Sequence, residues 1–205
     1  LYRRGLIKTL KQKPEGWKLL SGIWSPFYIQ LRLLPSYPSL LNEIGRLLGE
    51  RIKDYGNKLL GIAMAGIPIA TAISLHTSMP LCYTRKISGV KKIDELEKYA
   101  SQYGEHSLVE GEIKEGDEFV AIDDIVTKFD SKLMAIRQLE IEAEKKNCSI
   151  KCKHVAVVID RQQGAEEIAE KYGIKLHSLI KFKEAMEWIK DEMGNEYEII
   201  KDYLN

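Results

Sequence analysis

The chain has 205 residues, enough for one sizeable core. Charged residues make up 30% and hydrophobic residues 44%, and the formal net charge is +1, so no global field draws it to nucleic acid or a membrane. No apolar run approaches the ~20 residues that span a bilayer, and the N-terminal "LYRRGLIKTLKQKPEG" is too charged for a signal peptide.

Residues 1–13 read as a short amphipathic helix stopped by Pro14 and Gly16. "WKLLSGIWSPFYIQLR" suggests two short strands around a Gly-Ile-Trp-Ser-Pro turn. "PSLLNEIGRLLGERIKDYG" predicts a helix with Pro38 in its first turn and Gly56 just past its end. "KLLGIAM" is a short buried strand, 67–77 a helix, and "PLCYTR" a strand. Residues 86–112 are polar with few apolar anchors, and predict a long flexible loop. "EFVAIDD" is a buried strand. It precedes a helix from about Ser131 to Lys146 with Leu133, Ile136, Leu139 and Ala143 as its apolar stripe. "KHVAVVID" is a strand, followed by a helix from about 164, the strand "KLHSLI" and a closing helix pair.

Alternating strands and helices predict an α/β fold over 1–205, a mostly parallel sheet with helices on both faces. Ligands then bind beyond the carboxyl ends of the strands. Three such ends carry chemistry: Met64-Ala65-Gly66, Asp123-Asp124 and Asp160-Arg161. Two adjacent carboxylates can accept bonds from vicinal hydroxyls or hold Mg²⁺, and equally can be turn residues. Arg161 offers a planar fork to a carboxylate or imide edge, or a surface ion pair. In "TKFDS" either Asp130 or Ser131 is a natural N-cap, and a capping carboxylate there competes with any anion for the helix N–H groups. Lys128 works in the opposite sense. Arg85, Lys86, Lys91, Lys92 and Lys98 make the long loop locally basic. Cys82, Cys148 and Cys152 form no disulfide framework, which suits a reducing, cytoplasmic setting.

Together these pieces resemble the orotate phosphoribosyltransferase family. "SGIWSPFYIQLR" is similar to its SG-x-x-SP-x-Y-x-D-x-R segment, and "GIPIATAIS" and "PLCYTRK" to its pyrophosphate-side turn and loop start. "YGEHSLVEGEIKEGDEFVAIDDIVT" resembles its loop end and donor-binding strand, and "VVIDRQQGA" its D-R-x-x-G-A/G segment. The resemblance implies a type I phosphoribosyltransferase fold, with residues 1–36 supplying a helix and a small hood. It implies transfer of phosphoribosyl from 5-phospho-α-D-ribosyl 1-diphosphate (PRPP) to orotate, a glycosyltransferase reaction of pyrimidine biosynthesis, assisted by Mg²⁺. Asp123 and Asp124 are expected at the ribose hydroxyls and the metal. Thr127, Lys128 and Ser131 are expected at the 5′-phosphate, Arg85 and Lys86 at pyrophosphate, and Tyr28, Thr127 and Arg161 at orotate. Arg85, Lys86 and Asp124 carry the catalytic expectation. A cytoplasmic homodimer is implied, the loop reaching into the neighbour's site.

The chain departs from that pattern in four places. The phosphate turn, glycine-containing in the family, reads Thr127-Lys128-Phe129-Asp130-Ser131. Sixteen residues lie between Lys86 and Tyr103, a longer span than the family's. Ser101 replaces the usual loop lysine, and Gln30 the usual Asp. Glycine allows close approach to an anion, so its absence predicts a weakened phosphate cradle. Two readings stay open: an active transferase with an unusual turn, or a non-catalytic relative that senses a ligand or binds a partner.

Overall fold

A computed structural model of the chain describes residues 1–19, 22–103 and 105–204. Ser21 of the SG-x-x-SP segment and Gly104 of the Tyr-Gly pair lie outside the described residues. The expected helix over 1–13 is instead a 3-10 turn, Tyr2–Arg4, ended by Gly5, and a strand β1 (Ile7–Thr9). A hairpin follows, β2 (Trp17–Lys18) against β3 (Trp24–Ser25). The next strand, β4 (Phe27–Ile29), pairs antiparallel with β1, Ile7 opposite Ile29. That long-range pairing, with Leu6 and Phe27 fully buried, overrides the local helical pattern.

Next come helix α1 (Pro38–Ile52), β5 (Lys58–Gly61), helix α2 (Gly66–Thr77) and β6 (Leu81–Thr84). Pro38 stands in the first turn of α1, where its missing N–H does no harm. The buried stripe Ile44, Leu48 and Ile52 turns α1 onto the sheet. Gly45 lets α1 and α2 pack closely, since a Cβ there would lie 2.6 Å from that of Ala72.

The stretch 86–112 is not irregular throughout, contrary to expectation. It holds α3 (Ile93–Gln102), whose Glu95 carboxylate accepts from the Lys91 and Lys92 N–H groups, then the short strand β7 (Val109–Glu110). One fully buried residue, Leu96, pins α3 beside Leu108 and Ile141. Tyr99 and Ala100, partly buried beside it, complete an apolar face at i, i+3 and i+4, a helical period present in the sequence but set among charged residues.

β8 (Glu118–Val126), α4 (Asp130–Lys145), β9 (Lys151–Asp160), α5 (Ala165–Lys171) and β10 (Lys175–Lys181) complete the α/β alternation. Three short helices close the chain where a pair was expected: α6 (Phe182–Trp188), α7 (Lys190–Met193) and α8 (Glu196–Leu204). The six-stranded sheet runs β10-β9-β8-β5-β6-β7, parallel except for β7 at the edge.

Helices α1, α2 and α8, with β1 and β4, bury one face around Leu48, Leu59, Val120, Ile122 and Val158. Helices α4 and α5 bury the other around Leu60, Phe119, Ala121, Leu139 and Val157. The strand order reverses between β5 and β8, so a crevice opens there at their carboxyl ends.

Candidate active site

β5 stops at Gly61, opposite Ile122, while β8 runs on against β9 as far as Val126 opposite Asp160. Asp123 and Asp124 therefore stand inside a strand rather than at its end, with one side of β8 opened. The first turn of α2 closes under them. A Cβ on Gly66 would lie 2.2 Å from the Ile122 carbonyl oxygen, so this contact demands glycine.

The two carboxylates have different surroundings. Asp123 Oδ1 accepts from the Asp124 N–H at 2.9 Å, and Oδ2 pairs with Lys132 Nζ at 2.8 Å. Lys132, only 3% exposed, also donates to the Ile125 carbonyl at 2.6 Å and meets Ser131 Oγ at 3.3 Å. Its three protons thus have three acceptors. Asp124 is less enclosed and accepts from the Ile125 N–H at 2.9 Å. Burial, then the charge of Asp123, push its carboxyl up to about 7, with Lys132 opposing.

An acid whose folded pKa is raised holds its proton more tightly in the folded state. It favours folding most below its unfolded pKa, and that contribution is lost as pH rises from about 4 to about 7. Asp124→Asn should therefore be more stable than the parent at pH 8 and nearly equal to it at pH 4, measured by urea unfolding. Equal stabilities at pH 8 would contradict this electrostatic picture.

The turn between β8 and α4 departs from expectation. Asp130 does not cap α4. It is the first helical residue, the N-cap position is Phe129, and no side chain caps the helix. Phe129 is fully buried in the core below, while Lys128, Asp130 and Ser131 are exposed. No residue from 127 to 131 has a positive φ, so the turn's path does not require glycine. The positive end of α4 stays open toward the crevice.

Two cavities meet at this helix end. One, of about 550 Å³, is lined by Thr127, Lys128, Asp130, Ser131, Arg161 and Tyr203, with Leu19, Ile23 and Gln163. The other, of about 380 Å³, holds Arg85, Lys86 and Lys91, and shares Asp130 and Ser131 with the first. Arg85 lies 3.6 Å from Glu110, and its carbonyl accepts from Gln138 at 3.0 Å. At the far end the Arg161 guanidinium lies over the Phe27 ring, 4.8 Å from its centroid, with Nε unpartnered.

The structure thus gathers Thr127, Lys128, Ser131 and Arg161 around one cavity and Arg85 and Lys86 around its neighbour. Tyr28 is not brought in. β4 turns Phe27 toward Arg161, while Tyr28, on the alternate side, is exposed and stacks on Trp17 with 6.2 Å between centroids. Sequence reasoning missed Lys132, Phe27 and Tyr203. The detectable signal was Lys132 itself, a cation in the first turn of a helix, where the dipole disfavours it.

The fold is shared with solved phosphoribosyltransferases. Leishmania donovani UMP synthase matches with a TM-score of 0.77 at 24% identity, covering 100% of this chain and 40% of that longer one. Aeropyrum pernix orotate phosphoribosyltransferase matches with a TM-score of 0.66 at 25% identity, covering 93% of this chain and 96% of that one. This is the type I phosphoribosyltransferase fold.

The orotate phosphoribosyltransferase of Methanocaldococcus jannaschii is 34% identical over 166 residues, 81% of this chain and 84% of its own. That of Pyrococcus furiosus is 34% identical over 172 residues, 82% and 85%. No protein-family profile matches the chain. The chain belongs to the orotate phosphoribosyltransferase family.

Proposed function

We propose that this protein transfers the phosphoribosyl group of PRPP to orotate, releasing pyrophosphate and forming orotidine 5′-monophosphate (OMP), a step of pyrimidine biosynthesis. The observation that carries this reading is the pair of cavities meeting at the open N-terminus of α4, with cations at both outer ends. Such a cleft suits a donor bearing anionic groups at two ends and an acceptor bearing a carboxylate.

The helix N–H groups and the Ser131 hydroxyl would bind the 5′-phosphate, aided by Thr127 and Lys128. Asp124, with Asp123 behind it, would accept hydrogen bonds from the ribose hydroxyls. Arg85 and Lys86 would take up the charge that grows on pyrophosphate as its bond to the ribose C1 breaks. Arg161 would hold the orotate carboxylate and aim a ring nitrogen at C1. That nitrogen gives up its proton to solvent and forms the new bond as the oxygen of pyrophosphate departs with its electron pair.

Two carboxylates offer hard oxygen donors suited to Mg²⁺. Among the described residues no three His, Cys, Asp or Glu side chains cluster to hold a metal unaided. Asp124 and Asp123 would thus share Mg²⁺ with substrate oxygens, and the ion would neutralise the leaving pyrophosphate. The family resemblance further supports a homodimer, and the free thiols of Cys82, Cys148 and Cys152 support a cytoplasmic setting. No helix among the described residues is long and apolar enough to cross a membrane.

The test is OMP formation from orotate, PRPP and Mg²⁺. Asp124→Asn should raise the KM for PRPP at least tenfold with little effect on orotate, and Arg161→Ala should do the reverse. Equal effects of both variants on both substrates would remove these roles. PRPP binding without turnover would point to a ligand sensor.

A further inference from the structure

The antiparallel pair β6 and β7, with Thr84 opposite Val109, forms the root of the segment that carries α3. The next rung outward is Arg85 with Leu108. In an ordinary rung of this kind the two residues exchange both N–H···O bonds. Here the Arg85 N–H donates to the Leu108 carbonyl at 2.9 Å, but the return bond is replaced by two bonds to α4. The Leu108 N–H donates to Glu142 Oε2 at 2.9 Å, and the Arg85 carbonyl accepts from Gln138 Nε2 at 3.0 Å. Gln138 and Glu142 lie one helical turn apart on the same face of α4. They are 6% and 5% exposed, and a polar group buried that deeply is costly without a partner. Their partners are the two backbone groups of the split rung.

The same helix presents Asp130, Ser131 and its open N–H groups at its other end. Gln138 is eight residues further along, roughly 12 Å at the helical rise. It lines the 380 Å³ cavity together with Arg85, Lys86 and Ser131. Ile141, between the two clamping side chains, packs with Leu96 and Leu108 and holds the root against the helix. One stiff rod therefore carries both the anion-binding end of the cleft and the backbone from which Arg85 and Lys86 extend.

We propose that Gln138 and Glu142 are positioning residues for the pyrophosphate end of the donor. By splitting the rung they tie the Arg85 backbone to α4, and so set the distance between the Arg85–Lys86 cations and the helix end that takes the 5′-phosphate. This rests on the reading of the 380 Å³ cavity as the pyrophosphate end. Neither residue needs to touch the donor, since both act through Arg85. Without them the Leu108 N–H and the Arg85 carbonyl would pair with each other, and Arg85 would follow the edge strand instead of the helix.

The test is calorimetric binding of inorganic pyrophosphate and of ribose 5-phosphate, each with Mg²⁺, which probe the two ends of the cleft separately. Gln138→Met keeps the length of the side chain and loses the donor. It should bind pyrophosphate about tenfold more weakly than the parent and ribose 5-phosphate equally well. Glu142→Leu should behave in the same way. Glu142→Gln still offers an oxygen to the Leu108 N–H and should bind both ligands like the parent. Gln138→Met decides the question even where Glu142→Leu fails to fold. Parental pyrophosphate affinity in Gln138→Met, with Arg85→Ala weakened, would overturn the proposal and leave the reading of the cavity standing. An equal loss of both ligands in Gln138→Met would also overturn it, marking the clamp as merely structural. So would a Glu142→Gln as weak as Glu142→Leu, because the acceptor would then be irrelevant. No pyrophosphate binding by the parent, or parental affinity in Arg85→Ala, would overturn the pyrophosphate reading itself, and this proposal with it.

Discussion

Lys132→Met is expected to destabilise the fold by about 3–5 kcal/mol, because it strands a buried carboxylate. The Lys132 and Asp123 side chains are 4% and 12% exposed and 2.8 Å apart, so water cannot replace either partner. Lys132 is the third residue of α4, where the helix dipole and its open N–H groups repel a cation. A lysine kept there must be offset locally, and Asp123 with the Ile125 carbonyl supplies the offset. The double variant Asp123→Asn, Lys132→Met removes both charges and should recover most of the loss. Urea unfolding of the parent, both single variants and the double variant measures the coupling. A loss below about 1 kcal/mol in Lys132→Met would place the pair among solvated surface bridges and defeat the argument.

The second large effect lies in the phosphate turn. Converting Lys128-Phe129-Asp130 to the glycine-rich Thr-Gly-Gly looks, from sequence, like a modest trade of a helix cap for a phosphate cradle. There is no cap to lose, and Phe129 is fully buried, so the replacement should cost about 3–5 kcal/mol through the lost aromatic ring. The single change Asp130→Asn separates the two effects. Asp130 is exposed and lines both cavities, so its removal should leave stability within about 0.5 kcal/mol and tighten PRPP binding severalfold. Calorimetry and urea unfolding on the two variants provide the check. Weaker PRPP binding by Asp130→Asn would mean that the carboxylate helps hold the donor, and the repulsion argument would be wrong.

What the sequence made legible followed from patterns contained within single elements. The apolar runs of β5, β8 and β9 and the Pro38 start of α1 lie within one window each, and they suffice for the parallel sheet. Asp123, Asp124 and Arg161 were legible because they end or interrupt such runs. What depended on a distant partner was not. β1 needs β4, about twenty residues on, to become a strand. β8 continues past Asp124 only because β9 reaches Asp160 alongside it. Lys132 lies next to the apolar stripe of α4 and reads as a solvated charge until Asp123 is seen beneath it. Tyr203 acquires meaning only when the last helix folds over β4. Phe129 is the clearest case: it stands in the turn where the family has glycine, and only the fold shows that its ring is spent in the core below.

The meeting of the two cavities at Asp130 and Ser131 has a kinetic consequence. Among the described residues, Arg85, Lys86 and Lys91 line one cavity and Lys128 and Arg161 the other, against the carboxylate of Asp130, while beside them Asp123 is paired with Lys132 and Glu110 lies 3.6 Å from Arg85. A chain with a formal charge of just +1 thus concentrates positive potential in one cleft. Low-dielectric walls focus such a field outward, so a polyanion is steered into the cleft during diffusion, before any contact forms. That guidance reaches only about one Debye length, roughly 10 Å at 0.1 M salt. Capture of the donor is therefore governed by the ionic strength of the surroundings, while retention depends on short contacts inside the cleft, which salt screens far less.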